Sequence, residues 1–239
     1  MSLKSKIEWT ENTWNPITGC TKISEGCQNC YAYKMALRLQ KMGNEKYEDG
    51  FDLRVHENCF DTPLTWKKPS RIFVNSMSDL FHADVPIECI KKIFEVMNKA
   101  HWHTFQLLTK RAERLSEVSK ELNWSENIWV GVTVENNKNK NRIDYLRDIP
   151  AIVKFISFEP LLDDVGEVDL KNIDWAIVGG ESGCRAREID EQWILNIKNQ
   201  CEIQDVLFYF KQWGGTNKKK SGRLLLGKTW NAMPSMVPH

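Results

Sequence analysis

Six short, nearly continuous apolar runs recur along the chain from residue 71 onward, and they constrain the fold more than any other feature. They span residues 71–75, 104–109, 128–134, 152–158, 175–179 and 206–210. Runs of this kind are typical of strands that are buried on both faces. Their starts are 33, 24, 24, 23 and 31 residues apart, which leaves room for one crossover helix in each interval. The pattern therefore predicts a parallel sheet built from βα units.

The segments between the runs have helical periodicity. After Pro86, an apolar stripe recurs at Ile90, Ile93, Phe94 and Met97, and Asp190 is placed to cap a later helix. With a further strand near Ile7–Trp14, we predict an α/β fold, a partial or full TIM-like (β/α) barrel of about six to seven parallel strands. No Pro/Gly-rich linker divides the chain. We therefore expect one domain over residues 1–239, with about 212–239 as a C-terminal extension.

Three of the seven cysteines are clustered near the N-terminus, at Cys20, Cys27 and Cys30. Their spacing is C-x6-C-x2-C, with Gly19 and Gly26 favouring a loop and a helical pattern starting at Tyr31. Clustered thiols without an export signal indicate metal or redox chemistry rather than disulfides. Three thiolates suit a [4Fe–4S] cluster with one iron left open. A zinc site closed by His56, Cys59 or another residue is the alternative.

Polar residues follow the predicted strands, at the ends where parallel barrels gather functional side chains. A Glu-Pro pair, Glu159 and Pro160, also marks the end of one strand. The candidates for cofactor binding are Asn75, Ser76, Ser78, Asp79, Thr109, Lys110, Glu135, Asn136, Glu159, Gly179, Gly180 and Glu181. The alternative is that these carboxylates cap the following helices.

A three-cysteine loop after a first strand, followed by βα repeats, resembles the radical S-adenosylmethionine (SAM) superfamily. The usual superfamily spacing is C-x3-C-x2-C, so this sequence has three extra residues in the first gap. Blocks such as TWNPITGCTKISEGCQNCYA, FISFEPLL and FYFKQWGG also resemble a phage- and prophage-associated three-Cys-motif family. In the tail, Leu226 and Asn231 stand where that family usually has acids.

The resemblance implies a radical-SAM-type barrel, a [4Fe–4S] cluster on the three cysteines, and reductive cleavage of SAM to a radical that acts on an unknown substrate. From the chemistry of the side chains at the strand ends, our hypothesis is that Ser76, Ser78 and Asp79 hold the SAM amino group and that Glu135 or Asn136 binds the ribose. Gly179 and Gly180 would then let the backbone approach adenine. Lys110 and Arg111 would bind the SAM carboxylate or a substrate phosphate. Cleavage of another C–S bond, with aminocarboxypropyl transfer, is a variant within this class.

Other interpretations of the sequence stay open at this point. One is a zinc-stabilised phage protein that binds nucleic acid or a host partner, and another is a SAM-binding protein without turnover. The expected partners of the enzyme are an external electron donor, a phage-encoded protein, and a nucleotide or nucleic-acid substrate. The near-zero formal charge of +1 creates no strong overall field, and no apolar run approaches a membrane span. We therefore expect a cytoplasmic protein that does not contact membranes.

Overall fold

A seven-stranded parallel sheet forms the centre of the molecule. The computed structural model describes Ser5 and residues 7–235. The sheet contains β1 (Asn12–Trp14), β4 (Arg71–Val74), β5 (Thr104–Thr109), β6 (Ile128–Thr133), β7 (Lys154–Phe158), β8 (Trp175–Gly179) and β9 (Leu207–Gln212), paired in chain order. Strands β2 (Ile17–Thr18) and β3 (Arg54–Val55) form a separate antiparallel pair. The predicted α/β fold of about seven parallel strands is confirmed.

Helices follow most strands as the spacing predicts, but the predicted helix between β7 and β8 is absent, because residues 159–174 form only turns and irregular structure. They are α1 (Tyr31–Lys41), α2 (Ile87–Lys99), α3 (Ala112–Ser119), α4 (Arg142–Arg147), α5 (Glu191–Ile203) and the short α6 (Lys218–Ser221). The stripe of α2 is buried as predicted, with Ile90, Ile93 and Met97 all fully covered. Asp190 caps α5 by accepting a 2.7 Å hydrogen bond from the amide of Gln192. Local sequence signals therefore set these helix positions.

Side chains alternate between the two faces of the curled sheet, as strand geometry requires. One face packs on the helices through residues such as Val74, Leu107 and Val130. The concave face carries an aromatic layer made of Trp9, Phe73, Trp129, Phe155, Trp175 and Tyr209. Trp9 contacts Phe73 on β4 and also Trp175 on β8, with ring centroids 4.8 and 6.2 Å away. One side chain can bridge such distant strands only because the sheet curls into a half-barrel.

The first strand is shorter than the predicted 7–14 segment. Residues 7–10 form a turn in which the Thr10 amide donates to the Ile7 carbonyl, and only Asn12–Trp14 pairs with β4. The turn places Trp9 inside the half-barrel with 2% of its surface exposed. This part of the apolar N-terminal segment therefore closes the lower end of the half-barrel instead of extending the sheet.

The C-terminal segment returns along the β9 edge of the sheet. Tyr209 forms an antiparallel bridge with Asn231, and Leu225 is fully buried. The ring of Trp230 contacts Phe208 edge-on at 5.9 Å. The described part of the predicted extension, residues 212–235, thus packs against the sheet and covers an edge that would otherwise be unpaired. Residues 236–239 of that extension lie outside the described residues.

Candidate functional site

The three clustered cysteines lie on one loop over the carboxyl end of the sheet. Gly19 begins this loop at φ +81°, and a β-carbon there would come within 2.0 Å of the Asp52 carbonyl oxygen. Cys27 ends a short 3₁₀ turn, and Cys30 is the N-cap residue of α1. The predicted arrangement, a loop that runs into a helix N-terminus, is therefore present. All three thiols are partly exposed and line one cavity of about 400 Å³.

Residues from four strand ends, three through side chains and one through its backbone, hold this cysteine loop, residues 19–30, in place. After β5, the Arg111 guanidinium donates to the Thr21 carbonyl at 3.1 Å. After β6, Glu135 accepts from the Ser24 hydroxyl at 2.5 Å. After β8, Glu181 accepts from the side-chain amide of Asn29 at 2.9 Å. After β4, Ser78 forms a parallel bridge with Gly19. The loop is thus fixed across the mouth of the half-barrel.

The thiols of Cys20 and Cys27 differ in their electrostatic surroundings. Burial raises the pKa of Cys20 to about 11, although the Arg111 guanidinium, 3.5 Å from its sulfur, acts in the opposite direction. Burial also acts to raise the pKa of Cys27. There, however, hydrogen bonds from Ile23 and Ser24 and the charge of Lys110 outweigh it, so the net pKa is lowered. The cysteine loop therefore holds one thiol whose pKa is lowered and one whose pKa is raised.

A polar layer lies above the aromatic layer on the concave face. Moving two residues along a strand keeps the same face, so Leu108 leads to Lys110, Phe155 to Ser157 and Glu159, and Tyr209 to Lys211. Several predicted site residues belong to this layer, namely Asn75, Lys110, Glu135, Glu159, Gly179 and Glu181. The structure therefore gathers residues from five strand ends around one mouth.

The carboxylates of this layer are engaged in ion pairs. Glu135 is fully buried, and its carboxylate contacts Arg142 at 2.7 Å and Lys110 at 3.6 Å. Glu159 contacts Lys211 at 2.9 Å. The pKa of Glu181 is lowered because the Arg187 guanidinium and the Asn29 amide outweigh the effect of its burial. These carboxylates hold the mouth together, and the lowered pKa of Glu181 keeps that carboxylate ionised at neutral pH.

Asp79 and its neighbours form an anchor beside the mouth. Its Oδ1 accepts from the Thr109 hydroxyl at 2.7 Å, and its Oδ2 accepts from Arg111 at 3.0 Å and from the Lys110 amide at 3.2 Å. This network joins the ends of β4 and β5 and orients the guanidinium that reaches Cys20.

The other predicted cofactor-binding residues form contacts within the protein. Ser76 donates to the Asn15 side chain and Ser78 to the Ile17 carbonyl. Asn136 lies 3.5 Å from Glu25 of the cysteine loop. A β-carbon on Gly179 would come within 2.7 Å of the Glu159 carboxylate, and one on Gly180 within 2.0 Å of the Trp213 carbonyl. The close approach at Gly180 is therefore to the chain's own backbone.

Two buried polar atoms at the mouth have no partner among the described residues. They are Nδ2 of Asn75 after β4 and Oε1 of Gln212 at the end of β9. Asn75 also adopts φ +58°, which an Asn tolerates better than most residues. One unmatched donor and one unmatched acceptor suit a small polar ligand, because buried polar groups normally find partners. SAM, with its amino group, carboxylate and ribose, fits this requirement.

The donor set favours a polynuclear cluster over a single ion. Within residues 5 and 7–235, no three His, Cys, Asp or Glu side chains converge closely enough to hold one metal ion. A zinc ion needs all its ligands within about 2.0–2.3 Å of one point, whereas the thiolates of an iron–sulfur cluster bind separate irons. The zinc ligands considered above have other contacts, His56 with Thr18 at 2.8 Å and Cys59 with Lys46 at 3.6 Å. Three thiols around one cavity therefore fit a [4Fe–4S] cluster.

Several site residues were not among the predicted cofactor ligands. Ser157 and Lys211 could have been found by extending the strand alternation beyond the apolar run. Tyr31 donates to the Ser76 carbonyl at 2.8 Å, and Arg187 contacts Glu181 at 2.7 Å. Tyr31 and Arg187 come from segments far apart in sequence, and no local sequence pattern identifies them as site residues.

Three further chemically notable residues differ in their burial. His103 is fully buried, with its Nε2 3.2 Å from the Pro63 carbonyl. Cys201 is buried in α5, and Cys184 is exposed on the loop after β8. Across the described part of the chain, no helix is long and apolar enough to span a membrane.

The fold and the sequence were compared with known proteins. A mutant of spore photoproduct lyase with dinucleoside spore photoproduct matches with a TM-score of 0.53 and 12% identity. A double mutant of that enzyme with bound AdoMet (SAM) and the same dinucleoside matches with a TM-score of 0.50 and 11% identity. Both matches cover 84% of this chain and 63% of the lyase chain. The likeness confirms the predicted half-barrel fold.

By sequence, no curated protein matches the chain. Residues 4–234 match the model of a protein family described as "Protein of unknown function (DUF5131)". The association with phages predicted from the sequence stays a prediction.

Proposed function

The chain belongs to the DUF5131 family, and we propose that it is a radical SAM enzyme that binds a [4Fe–4S] cluster through Cys20, Cys27 and Cys30. One observation carries the proposal. Three thiols line a single cavity on a loop that is fixed across the carboxyl end of a parallel half-barrel. Functional sites of such barrels form at this end. The bound AdoMet in one structural relative supports the choice of cosubstrate.

A [4Fe–4S] cluster held by Cys20, Cys27 and Cys30 would pass one electron from an external donor to SAM, so that a C–S bond would break with release of methionine and the 5′-deoxyadenosyl radical would take a hydrogen atom from the substrate. The residues of this chain bind and position the cluster and SAM. The cysteine loop presents the thiolates, Arg111 lies beside Cys20, and the aromatic layer closes the lower end of the half-barrel against water. Asn75 and Gln212 offer the unmatched donor and acceptor for SAM. The polar layer forms the walls of the mouth.

Product analysis of single cysteine variants tests the proposal. The anaerobically reconstituted protein, given SAM and a strong reductant, is expected to form 5′-deoxyadenosine. Cys20→Ala, Cys27→Ala and Cys30→Ala are each expected to lose the cluster and to fall to background. The reason is that removing one thiolate leaves too few ligands for a three-point attachment. Iron content and chromatography of the products are the measurements.

Cys89→Ala is the matched control, because Cys89 is also partly exposed but lies on α2, away from the cysteine loop. It should keep both iron and product formation, and Cys59→Ala should behave in the same way. Loss at Cys59 equal to that at Cys20 would indicate a four-ligand site and contradict the three-thiol assignment.

The same chromatogram identifies which bond of SAM breaks. 5′-Deoxyadenosine is expected from the proposed reaction. Methylthioadenosine in its place would show that the aminocarboxypropyl group is transferred instead.

A further inference from the structure

A second cavity lies directly beside the cysteine loop, on the side facing α3 and α4. Its volume is about 500 Å³. Its lining includes the five cationic side chains Lys110, Arg111, Arg114, Lys138 and Arg142, and one acidic side chain, Glu113. This surface contrasts with the near-zero formal charge of the whole chain, which is +1. We call it the cationic cavity.

The carboxylates around the cationic cavity do not match its cations one to one. Lys110 and Arg142 share the single carboxylate of Glu135, while Arg111 pairs with Asp79 and Lys138 with Glu25.

Arg114 has no carboxylate partner among the residues that the structure describes. Its Nη2 donates to the Val85 carbonyl at 2.9 Å, and its buried Nε has no acceptor there. The cavity therefore keeps positive charge and an unmatched donor, both of which an anion would satisfy.

The start of α3 adds backbone donors to the same wall. Ala112, Glu113 and Arg114 form its first turn and all line the cavity. The N-cap residue, Arg111, makes no side-chain capping hydrogen bond to this turn. Free amides at a helix N-terminus together with surrounding guanidinium groups are a recurring arrangement for binding phosphate.

Two apolar side chains at the cavity are unusually exposed. Ile23 of the cysteine loop is 46% exposed and Tyr145 of α4 is 36% exposed. A cationic groove beside an exposed aromatic ring is how proteins bind single-stranded nucleic acid, since phosphates meet the cations and bases stack on rings. A free phosphate would need no such apolar surface.

The cationic cavity is also continuous with the proposed active site. Lys110 and Arg142 line the cavity, and both contact Glu135 in the polar layer of the mouth. A nucleic-acid strand bound in the cavity would therefore be separated from the mouth of the half-barrel by a single side chain.

We propose that the cationic cavity binds the phosphodiester backbone of a single-stranded nucleic acid, so that the substrate is a nucleotide within a polynucleotide. The identity of the substrate rests on the proposed function, whereas the binding of nucleic acid does not.

Fluorescence anisotropy with a labelled single-stranded oligonucleotide, about one dozen nucleotides long, tests this binding on the reconstituted protein. Arg114→Gln and Lys138→Gln are each expected to weaken binding about five-fold or more. They should also reduce the slope of log affinity against log salt concentration by about 0.7 for each lost phosphate contact. Lys138 is well suited to this test because its side chain is 78% exposed and changing it disturbs no core packing.

Lys99→Gln and Lys171→Gln are the matched controls. Both lysines are exposed; Lys99 ends α2, and Lys171 precedes β8, at the amino ends of the strands and away from the mouth. They should leave affinity and salt slope unchanged. Equal weakening by the control variants would overturn the assignment, because it would indicate diffuse attraction. Iron content and melting temperature of each variant verify that it is folded.

A chemical readout avoids substitution altogether. Bound oligonucleotide should protect Lys138 from amine acetylation in the unmodified protein and leave Lys171 reactive. Equal protection of both lysines, or of neither, would contradict the proposal. A mononucleotide that binds as tightly as the oligonucleotide would overturn the assignment to a polynucleotide.

Different experimental results would reject the two proposals. Oligonucleotide binding that depends on Arg114, without 5′-deoxyadenosine from SAM, would reject the proposed function alone. Formation of 5′-deoxyadenosine without binding of the oligonucleotide would reject the nucleic-acid assignment alone.

Discussion

At the scale of single residues, the thiols of the cysteine loop should differ in reactivity before any metal binds. Near pH 8 the Cys20 thiol, with its pKa of about 11, is an anion in only about one molecule in a thousand. The pKa of Cys27 is lowered, so a larger fraction of it is thiolate. Since the thiolate is the nucleophile, iodoacetamide should alkylate Cys27 well before Cys20 in the metal-free protein.

Peptide mapping by mass spectrometry, after brief alkylation, measures this order. The same protein in denaturant is the control, because unfolding removes burial and the two rates should then converge. Faster alkylation of Cys20 in the folded protein would contradict the assigned environments.

Glu135 is the residue on which the mouth of the half-barrel depends most. Its fully buried carboxylate pairs with Arg142, whose side chain is 10% exposed, and also accepts from Ser24 of the cysteine loop. Glu135→Gln leaves a buried guanidinium without its counter-charge. We expect the free energy of unfolding to fall by about 3 kcal/mol. Urea denaturation of the metal-free protein is the measurement.

Glu117→Gln is the comparison variant, because Glu117 is exposed on α3. It should change the free energy of unfolding by less than about 0.5 kcal/mol. If both substitutions had the same small effect, the buried pair would not contribute to stability as described.

At the scale of elements, one turn contains a residue that is unfavourable for its backbone conformation. Leu225 and Lys228 form two reciprocal backbone hydrogen bonds, and between them Leu226 has φ +51° and Gly227 φ +75°. Positive φ at both central positions is the type I′ turn, which favours Asn-Gly. Leu226→Asn should therefore stabilise the protein by about 0.5–1 kcal/mol, since Asn tolerates this conformation and Leu does not.

Leu224→Asn controls for the loss of an exposed leucine. Leu224 is 60% exposed and Leu226 is 61% exposed, yet Leu224 lacks the positive φ. Thermal melting of both variants gives the comparison. A gain at Leu224 equal to that at Leu226 would show that surface polarity, rather than turn geometry, is responsible.

Much of the element order could be predicted because buried parallel strands are encoded locally. The run at 104–109 coincides with β5, and the run at 206–210 with β9 to within two residues at either end. The rule that functional side chains gather at the carboxyl ends of parallel strands also predicted Glu135 and Glu159 at the mouth. The turn at residues 7–10 could not be predicted, because the reason for it is a distant contact of Trp9 with Phe73 and Trp175.

The contacts that hold the site together were less predictable than its residue types. In the local sequence, Glu181 is simply a polar residue after two glycines. Its contacts with Asn29 and Arg187 are formed only in the folded chain. The cationic cavity was only partly visible in sequence. Lys110 and Arg111 stood out at a strand end, whereas Arg114 and Lys138 come from helical and loop positions that ordinarily face solvent. Charge clustering from separate segments depends on tertiary structure and has no local signal.

At the scale of the whole molecule, the half-barrel separates three tasks along its axis. The aromatic layer closes one end, the polar layer forms the mouth, and the cysteine loop lies across that mouth. The cationic cavity adjoins the mouth from the side through Lys110 and Arg142. This arrangement would keep a radical close to where it forms and would admit substrate from one direction.

The central claim is that the three thiols hold a cluster with an iron open to SAM. Electron paramagnetic resonance of the anaerobically reconstituted and reduced protein, recorded with and without SAM, tests it most directly. We predict a signal from a reduced [4Fe–4S] cluster whose g values shift when SAM is added, because SAM would bind the iron that lacks a cysteine ligand. A cluster signal that saturating SAM leaves unchanged, or a protein that retains zinc and no iron, would contradict the account.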